Sequence, residues 1–415
     1  MHLFKASLIY TISNTLNAGV PFFLLPILSS YLSKDQYGML SNFQIFLALI
    51  IPIVSLNSDS ALARRYYEKD KGNIKSYLNA ASSFSLTISI LLFGLTYVFN
   101  FFINSVLQID WFYIRLGLAI VYVRVLMNLS LNYFQASKQP FSFSGLSLSY
   151  TVLNILLTLM FLSGWNTGWQ SRVYGQLVAC IVVFFWFYIF FLKREFKPLQ
   201  ISRLELKYLM SFGLPLLPQA FFSAAVIAID RFILTGFLGS DVNGVFSLSF
   251  QLASILSFFT ISLNSAFVPW FYGKLNSGRE RDKLEVVRMT FKGWAIIIVA
   301  GIAVLFLTPF IFDWFVDDKF EESVSYIPVL ILGFVFQGFY FSVSNYLTYL
   351  KSTRVLGKIA VSIIIVKLPL SYLLIRHLGV AGACYSFSFT YLLYFVWVYW
   401  ESNRRLSMPW NIRKF

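Results

Sequence analysis

Charge is scarce in this chain. Only 12% of its 415 residues are Asp, Glu, Lys or Arg, against about 25% in soluble domains. Hydrophobic residues make up 58% and aromatic residues 19%. A soluble protein of this size needs more polar surface to cover its core. A water-soluble protein is therefore excluded, and a membrane protein with little outside the bilayer is expected. The cysteines are two, Cys180 and Cys384, both inside apolar runs. They read as packing residues rather than a disulfide or metal pair. The two histidines, His2 and His377, cannot assemble a ligand cluster, so no metal or cofactor is expected. Acids are outnumbered by bases, 18 to 33. Those bases lie in short loops between apolar runs, the footprint of membrane topology rather than of a nucleic-acid-binding face.

What the chain does have is an internal repeat. Leu32, Asp35, Gly38 and Ser41 match Leu238, Asp241, Gly244 and Ser247 at one offset of 206, half the chain. Asn132, Tyr133 and Lys138 match Asn345, Tyr346 and Lys351 at an offset of 213. So long a period means two related halves, since solenoid repeats are several-fold shorter. In so apolar a chain it points to a duplicated transporter.

A bilayer core takes about 20 apolar residues per helix. That ruler predicts an all-α membrane protein of twelve helices, at about 7–30, 39–60, 77–103, 112–134, 142–163, 171–192, 208–236, 242–267, 290–312, 324–350, 357–376 and 380–400. The residues before Ile9 form only a thin basic region with no A-x-A site behind it. They read as a retained first helix rather than a signal peptide. With the N-terminus inside, 25 of the 33 basic residues fall in cytoplasmic segments, five in external ones and three in helices. This alternating bias supports an even helix number with both termini cytoplasmic. Six helices per half make the repeat parallel, with lobes at 1–200 and 201–415 about a pseudo-twofold axis normal to the membrane. Pro21 and Pro26 in helix 1 and Pro215 and Pro218 in helix 7 interrupt corresponding helices, a pointer to a substrate site. The alternative is that proline is simply commoner in membrane helices.

Charges at membrane depth cost about 2.5–3.5 kcal/mol each on insertion scales, so each needs a reason. Arg124 lies midway through helix 4, and Asn128, Asn132 and Gln135 follow it on one helical face. Lys367 lies midway through helix 11, and neither cation has an acidic partner in its own helix. Arg231 follows Asp230 in helix 7, and Asn14 and Asn17 stripe helix 1. We take Arg124, Lys367, Arg231, Asn128, Asn132, Asn14 and Asn17 as candidate substrate-binding residues. They would form a cavity with a net positive wall, suited to phosphate oxygens. The alternative for the cations is interhelical ion pairing, or snorkelling to the interface. Asp230 and Asp59 are candidates for a coupling proton or sodium ion, with pairing of Asp59 to Arg64 as the structural alternative. Trp165, Trp169, Trp397 and Trp400 read as interfacial belt residues.

The stretch Phe212-Gly213-Leu214-Pro215-Leu216-Leu217-Pro218, followed by Asp230-Arg231-Phe232-Ile233-Leu234 and Gly244-Val245-Phe246-Ser247, resembles the polysaccharide-exporting members of the MOP superfamily. The first half agrees through Tyr31-Leu32-Ser33, Tyr37-Gly38 and Ala61-Leu62-Ala63-Arg64-Arg65-Tyr66-Tyr67-Glu68. So does Gly379-Val380-Ala381-Gly382-Ala383 at the start of helix 12. The resemblance implies a flippase of the bacterial inner membrane. It would move a polyprenyl-pyrophosphate-linked oligosaccharide, such as an O-antigen repeat unit, by alternating access. Membrane lipid and a polysaccharide polymerase or other assembly proteins are the implied partners. The other readings are a multidrug or cation antiporter of the same fold, which calls for cavity carboxylates, and a multi-span polymerase or ligase, which calls for a sizeable external loop. A major-facilitator carrier also has two parallel six-helix halves, but its glycine-, aspartate- and arginine-rich loop between helices 2 and 3 is absent.

Overall fold

Apolar runs of membrane length become helices, and in a computed structural model no strand occurs among the described residues. Those are residues 2–67, 74–99, 104, 107–165, 167–189 and 202–410. Part of the basic loop after helix 2, including Lys69 and Lys71, and most of the central basic stretch, with Lys193, Arg194 and Lys197, lie outside them. The helices are α1 (His2–Tyr31), α2 (Lys34–Ser55), α3 (Ser58–Tyr67), α4 (Ile74–Val98), α5 (Trp111–Ala136), α6 (Pro140–Trp165) and α7 (Gln170–Phe187). There follow α8 (Arg203–Leu238), α9 (Ser240–Ala253), α10 (Ile255–Asn276), α11 (Glu280–Phe315), α12 (Ile327–Tyr349) and α13 (Thr353–Arg405).

Ten segments among the described residues are long and apolar enough to cross a membrane. The last is a 52-residue stretch that bends at Gly379, where φ is 58° and ψ −130°. It therefore supplies two crossings. A Cβ on Gly382 would stand 2.1 Å from the Leu374 carbonyl oxygen, so only glycine lets the two limbs of α13 approach this closely. With α8, 36 residues long, the expected twelve crossings are present among the described residues. One helix was not expected: α3, within the segment read as a cytoplasmic loop.

The repeat is visible in the backbone. α2 and α9 both start at the matched segment, and each carries its repeat aspartate, Asp35 or Asp241, in the first turn, where the helix dipole favours negative charge. Ser33 caps α2 by accepting a bond from the Gln36 amide, whereas Gly239 at φ 97° opens α9. The matched lysines close their helices alike. Lys138 and Lys351 both adopt a left-handed conformation, with φ of 58° and 55°. Behind them Gln139 N donates to Phe134 O at 2.8 Å and Ser352 N to Leu347 O at 2.9 Å. These are the six-to-one bonds of a Schellman closure.

Contacts divide the chain into two units, Met1–Ala228 and Ile229–Phe415. In the first, α6 packs along α7 and α1, and α5 along α2, α4 and α7. In the second, α12 packs along α13, α10 and α11. The division falls inside the continuous helix α8. The 200/201 lobe boundary is a different, repeat-based division, which we keep as a proposal. Large apolar side chains such as Phe141, Phe306 and Trp314 are exposed, as lipid-facing residues are. Trp169 is not one of them: it is buried, with its ring against Tyr113 and Phe43.

Candidate functional site

Within the first unit, five helices wall a cavity of about 330 Å³. α5 supplies Arg124 and, one turn on, Asn128; α7 supplies Arg172 and, one turn on, Gln176. Each pair shares a face by helical periodicity. α1 adds Asn17 and Pro21, so the interrupted first helix does border the cavity. α2 adds Gln44, and α6 adds Tyr150 and Asn154. No carboxylate is in this lining.

Hydrogen bonds fix most of these groups. Arg172 Nη1 donates to Asn154 Oδ1 at 2.9 Å and to Thr158 Oγ1 at 3.1 Å. Asn154 Nδ2 in turn donates to the Tyr150 hydroxyl at 3.4 Å. Gly175 permits this, because a Cβ there would lie 2.8 Å from the Thr158 backbone nitrogen. α7 can thus press against α6 and bring Arg172 to Asn154. Gln44 and Gln176 bond each other reciprocally at 3.2 and 3.3 Å. Asn17 donates to Ser147 Oγ and accepts from Thr151 Oγ1. The Arg124 guanidinium has Tyr150 as an electrostatic neighbour but no hydrogen bond or ion pair among the described residues. Two cations thus face a polar cavity with nothing to neutralise them. A site of this kind holds an anion: guanidinium forks match phosphate or carboxylate oxygens, and amides and hydroxyls can bond sugar hydroxyls.

The expected residues separate. Arg124, Asn128 and Asn17 line the cavity. Asn14 is exposed and not in the lining. Asn132 spends its Nδ2 on the Asn128 carbonyl of its own helix at 2.9 Å. Lys367 is corrected: its acidic partner comes from another helix. Its ammonium lies 2.7 Å from Asp230 Oδ2, with the side chains 0% and 1% exposed. A lone buried ammonium is costly, and the fold pairs it rather than leaving it to a substrate. Arg231 is buried under the rings of Phe250 and Phe246, at 5.1 and 6.0 Å, instead of lining the cavity. Asp230 is therefore already engaged. Asp59 sits in the first turn of α3 and makes no ion pair among the described residues. The expected bond to Arg64 is replaced by a neighbouring pair, Arg65 with Glu205. The side chains of Gln219 and Ser223, part of the helix 7 polar face, lie outside the described residues.

Sequence reasoning missed Arg172, Gln44, Asn154 and Gln176. Arg172 was read as an external loop residue, yet it is buried near the start of α7. The signal was there: Gln176 follows it at a spacing of four, as Asn128 follows Arg124.

Comparison with known proteins agrees with this architecture. A curated relative, "Lsg locus putative protein 1" of Haemophilus influenzae, is 28% identical over 95% of this chain and 98% of its own length. A solved lipid II flippase MurJ in an inward closed conformation superposes with a TM-score of 0.75 at 14% identity, over 96% of this chain and 87% of that one. An inward-facing multidrug resistance MATE family transporter of the MOP superfamily gives 0.74 at 15% identity, over 96% and 98%. These two show the fold: that of multi-pass membrane transporters and flippases. The MatE family model matches residues 215–373. The model described as "Polysaccharide biosynthesis protein" matches residues 3–273, well over half the chain. The chain belongs to the polysaccharide biosynthesis protein family, built on the fold of the MOP superfamily.

Proposed function

We propose that this protein is a flippase of the bacterial inner membrane, with both termini cytoplasmic. It moves a polyprenyl-pyrophosphate-linked oligosaccharide, an O-antigen or other surface-polysaccharide repeat unit, between leaflets by alternating access. The observation that carries this reading is the acid-free cavity with Arg124 and Arg172 on its wall. Two guanidiniums offer the charge and the paired donors that a pyrophosphate or an acidic sugar needs. The amides of Asn17, Asn128 and Gln176 offer contacts to sugar hydroxyls. The prenyl chain remains in membrane lipid, where its transfer costs nothing. Membership of the polysaccharide biosynthesis family and the Lsg locus relative support the same substrate class. A polysaccharide polymerase is the natural consumer of the delivered unit.

The MatE match and the MATE neighbour raise the antiporter reading. A cation carrier requires carboxylates on its cavity wall. This lining has none, and Asp230 is held by Lys367. The flippase reading is therefore favoured. Replacing Arg124 or Arg172 by alanine should lower surface polysaccharide at unchanged protein abundance; normal polysaccharide in both variants would remove the anion site.

A further inference from the structure

The second unit contains a closed ring of polar groups within its apolar interior. Lys367 Nζ donates to Asp230 Oδ2 at 2.7 Å and to Ser386 Oγ at 3.2 Å. Ser371 Oγ donates to Asp230 Oδ1 at 2.8 Å and lies 2.7 Å from Ser386 Oγ. All four residues are at most 1% exposed. They come from three helical segments: α8, the first limb of α13 and, beyond the Gly379 bend, its second limb.

The chemistry of this ring is that of a monovalent-cation site. A carboxylate and two hydroxyls turn their oxygens toward one point, as the ligands of hard cations do. The charge at that point is an ammonium, a compact cation on a flexible stem. An ion that couples transport to a gradient must bind and leave. An ammonium tethered through four carbons cannot leave.

We propose that Lys367 is a built-in cation. It occupies a latent alkali-cation site formed by Asp230, Ser371 and Ser386, and it frees this unit from any need for a sodium ion there. The inference is independent of what the cavity of the first unit binds.

Methionine tests it, because its stem ends where the lysine ammonium begins. K367M keeps the packing and leaves out the charge. The measurement is the melting temperature of purified full-length protein in choline, lithium, sodium or potassium chloride at equal ionic strength. The wild type should melt at the same temperature in all four. K367M should melt several degrees lower in choline and recover in sodium or another alkali cation. D230N/K367M, which has no carboxylate, should not respond. A sodium-specific rise in the wild type that D230N abolishes would overturn the proposal, as would a folded K367M that ignores every cation. Should K367M fail to fold in choline, purification of it and of K367A in sodium decides. Recovery in sodium supports the latent site, and failure in every salt contradicts it. No transport is measured, so this outcome stands apart from the flippase reading.

Discussion

Arg65 and Glu205, 140 positions apart, meet in a two-pronged ion pair at 2.8 and 3.1 Å. Their side chains are only 7% and 3% exposed. Arg65 also lies over the Tyr208 ring, 4.7 Å from its centroid, and Tyr208 meets Tyr77 edge-on. A Cβ on Gly213 would collide with the Leu56 carbonyl oxygen. The start of α8 is thus fastened to α3 and the end of α2. Removing one member of a buried pair strands the other charge, at a cost of about 3–5 kcal/mol. Arg65→Met or Glu205→Leu alone should lower the melting temperature sharply. The double variant should recover most of the loss. Equal and additive losses would show that the pair is not coupled.

The matched lysines give a second prediction. Left-handed backbone costs a non-glycine residue roughly 1–2 kcal/mol, and Lys138 and Lys351 both pay it. Lys138→Gly and Lys351→Gly should each raise thermal stability, by similar amounts, because the two helix ends are built alike. A drop in either would mean that the lysine side chain contributes more than its backbone costs.

Much of this was legible in the sequence. Twelve apolar runs, two halves and the breaks at Leu32 and Gly239 follow from period and composition, because lipid leaves the backbone no alternative to helices. Arg124 was legible too, since a guanidinium followed by a carboxamide one turn later marks a wet helix face. The fate of Lys367 was not. Its partner lies 137 positions away, and which helix faces supply counter-charges is decided by tertiary packing. Arg172 was hidden for another reason. A cation two residues into a helix looks like a loop residue until Gly175 draws α7 against α6.

Arg172 supports a third prediction. Its guanidinium is held by Asn154 and Thr158, whereas Arg124 is not so held. Hydrogen bonds to charged groups contribute about 1.5–3 kcal/mol. Loss of either guanidinium should therefore weaken binding of a pyrophosphate-bearing lipid by roughly tenfold to a hundredfold. Arg124→Lys, which keeps charge but loses the fork, should fall between wild type and Arg124→Ala. Titration with the labelled lipid in detergent reads this, and unchanged affinity in Arg172→Ala would restrict the site to Arg124.

Gly175 gives a fourth. A side chain there meets the Thr158 backbone and Oγ1, so Gly175→Leu should push α7 from α6 and break the Arg172–Asn154 bond. Substrate affinity should fall together with stability. Full stability and affinity would mean that the helices can separate without moving Arg172.

The most direct measurement is transfer of a labelled polyprenyl-pyrophosphate-linked oligosaccharide across liposomes containing the purified protein. The wild type should move label between leaflets faster than empty vesicles, and Arg124→Ala/Arg172→Ala should return the rate to theirs. A wild-type rate no greater than that of empty vesicles, or a double variant as fast as wild type, would contradict an anion-carrying cavity.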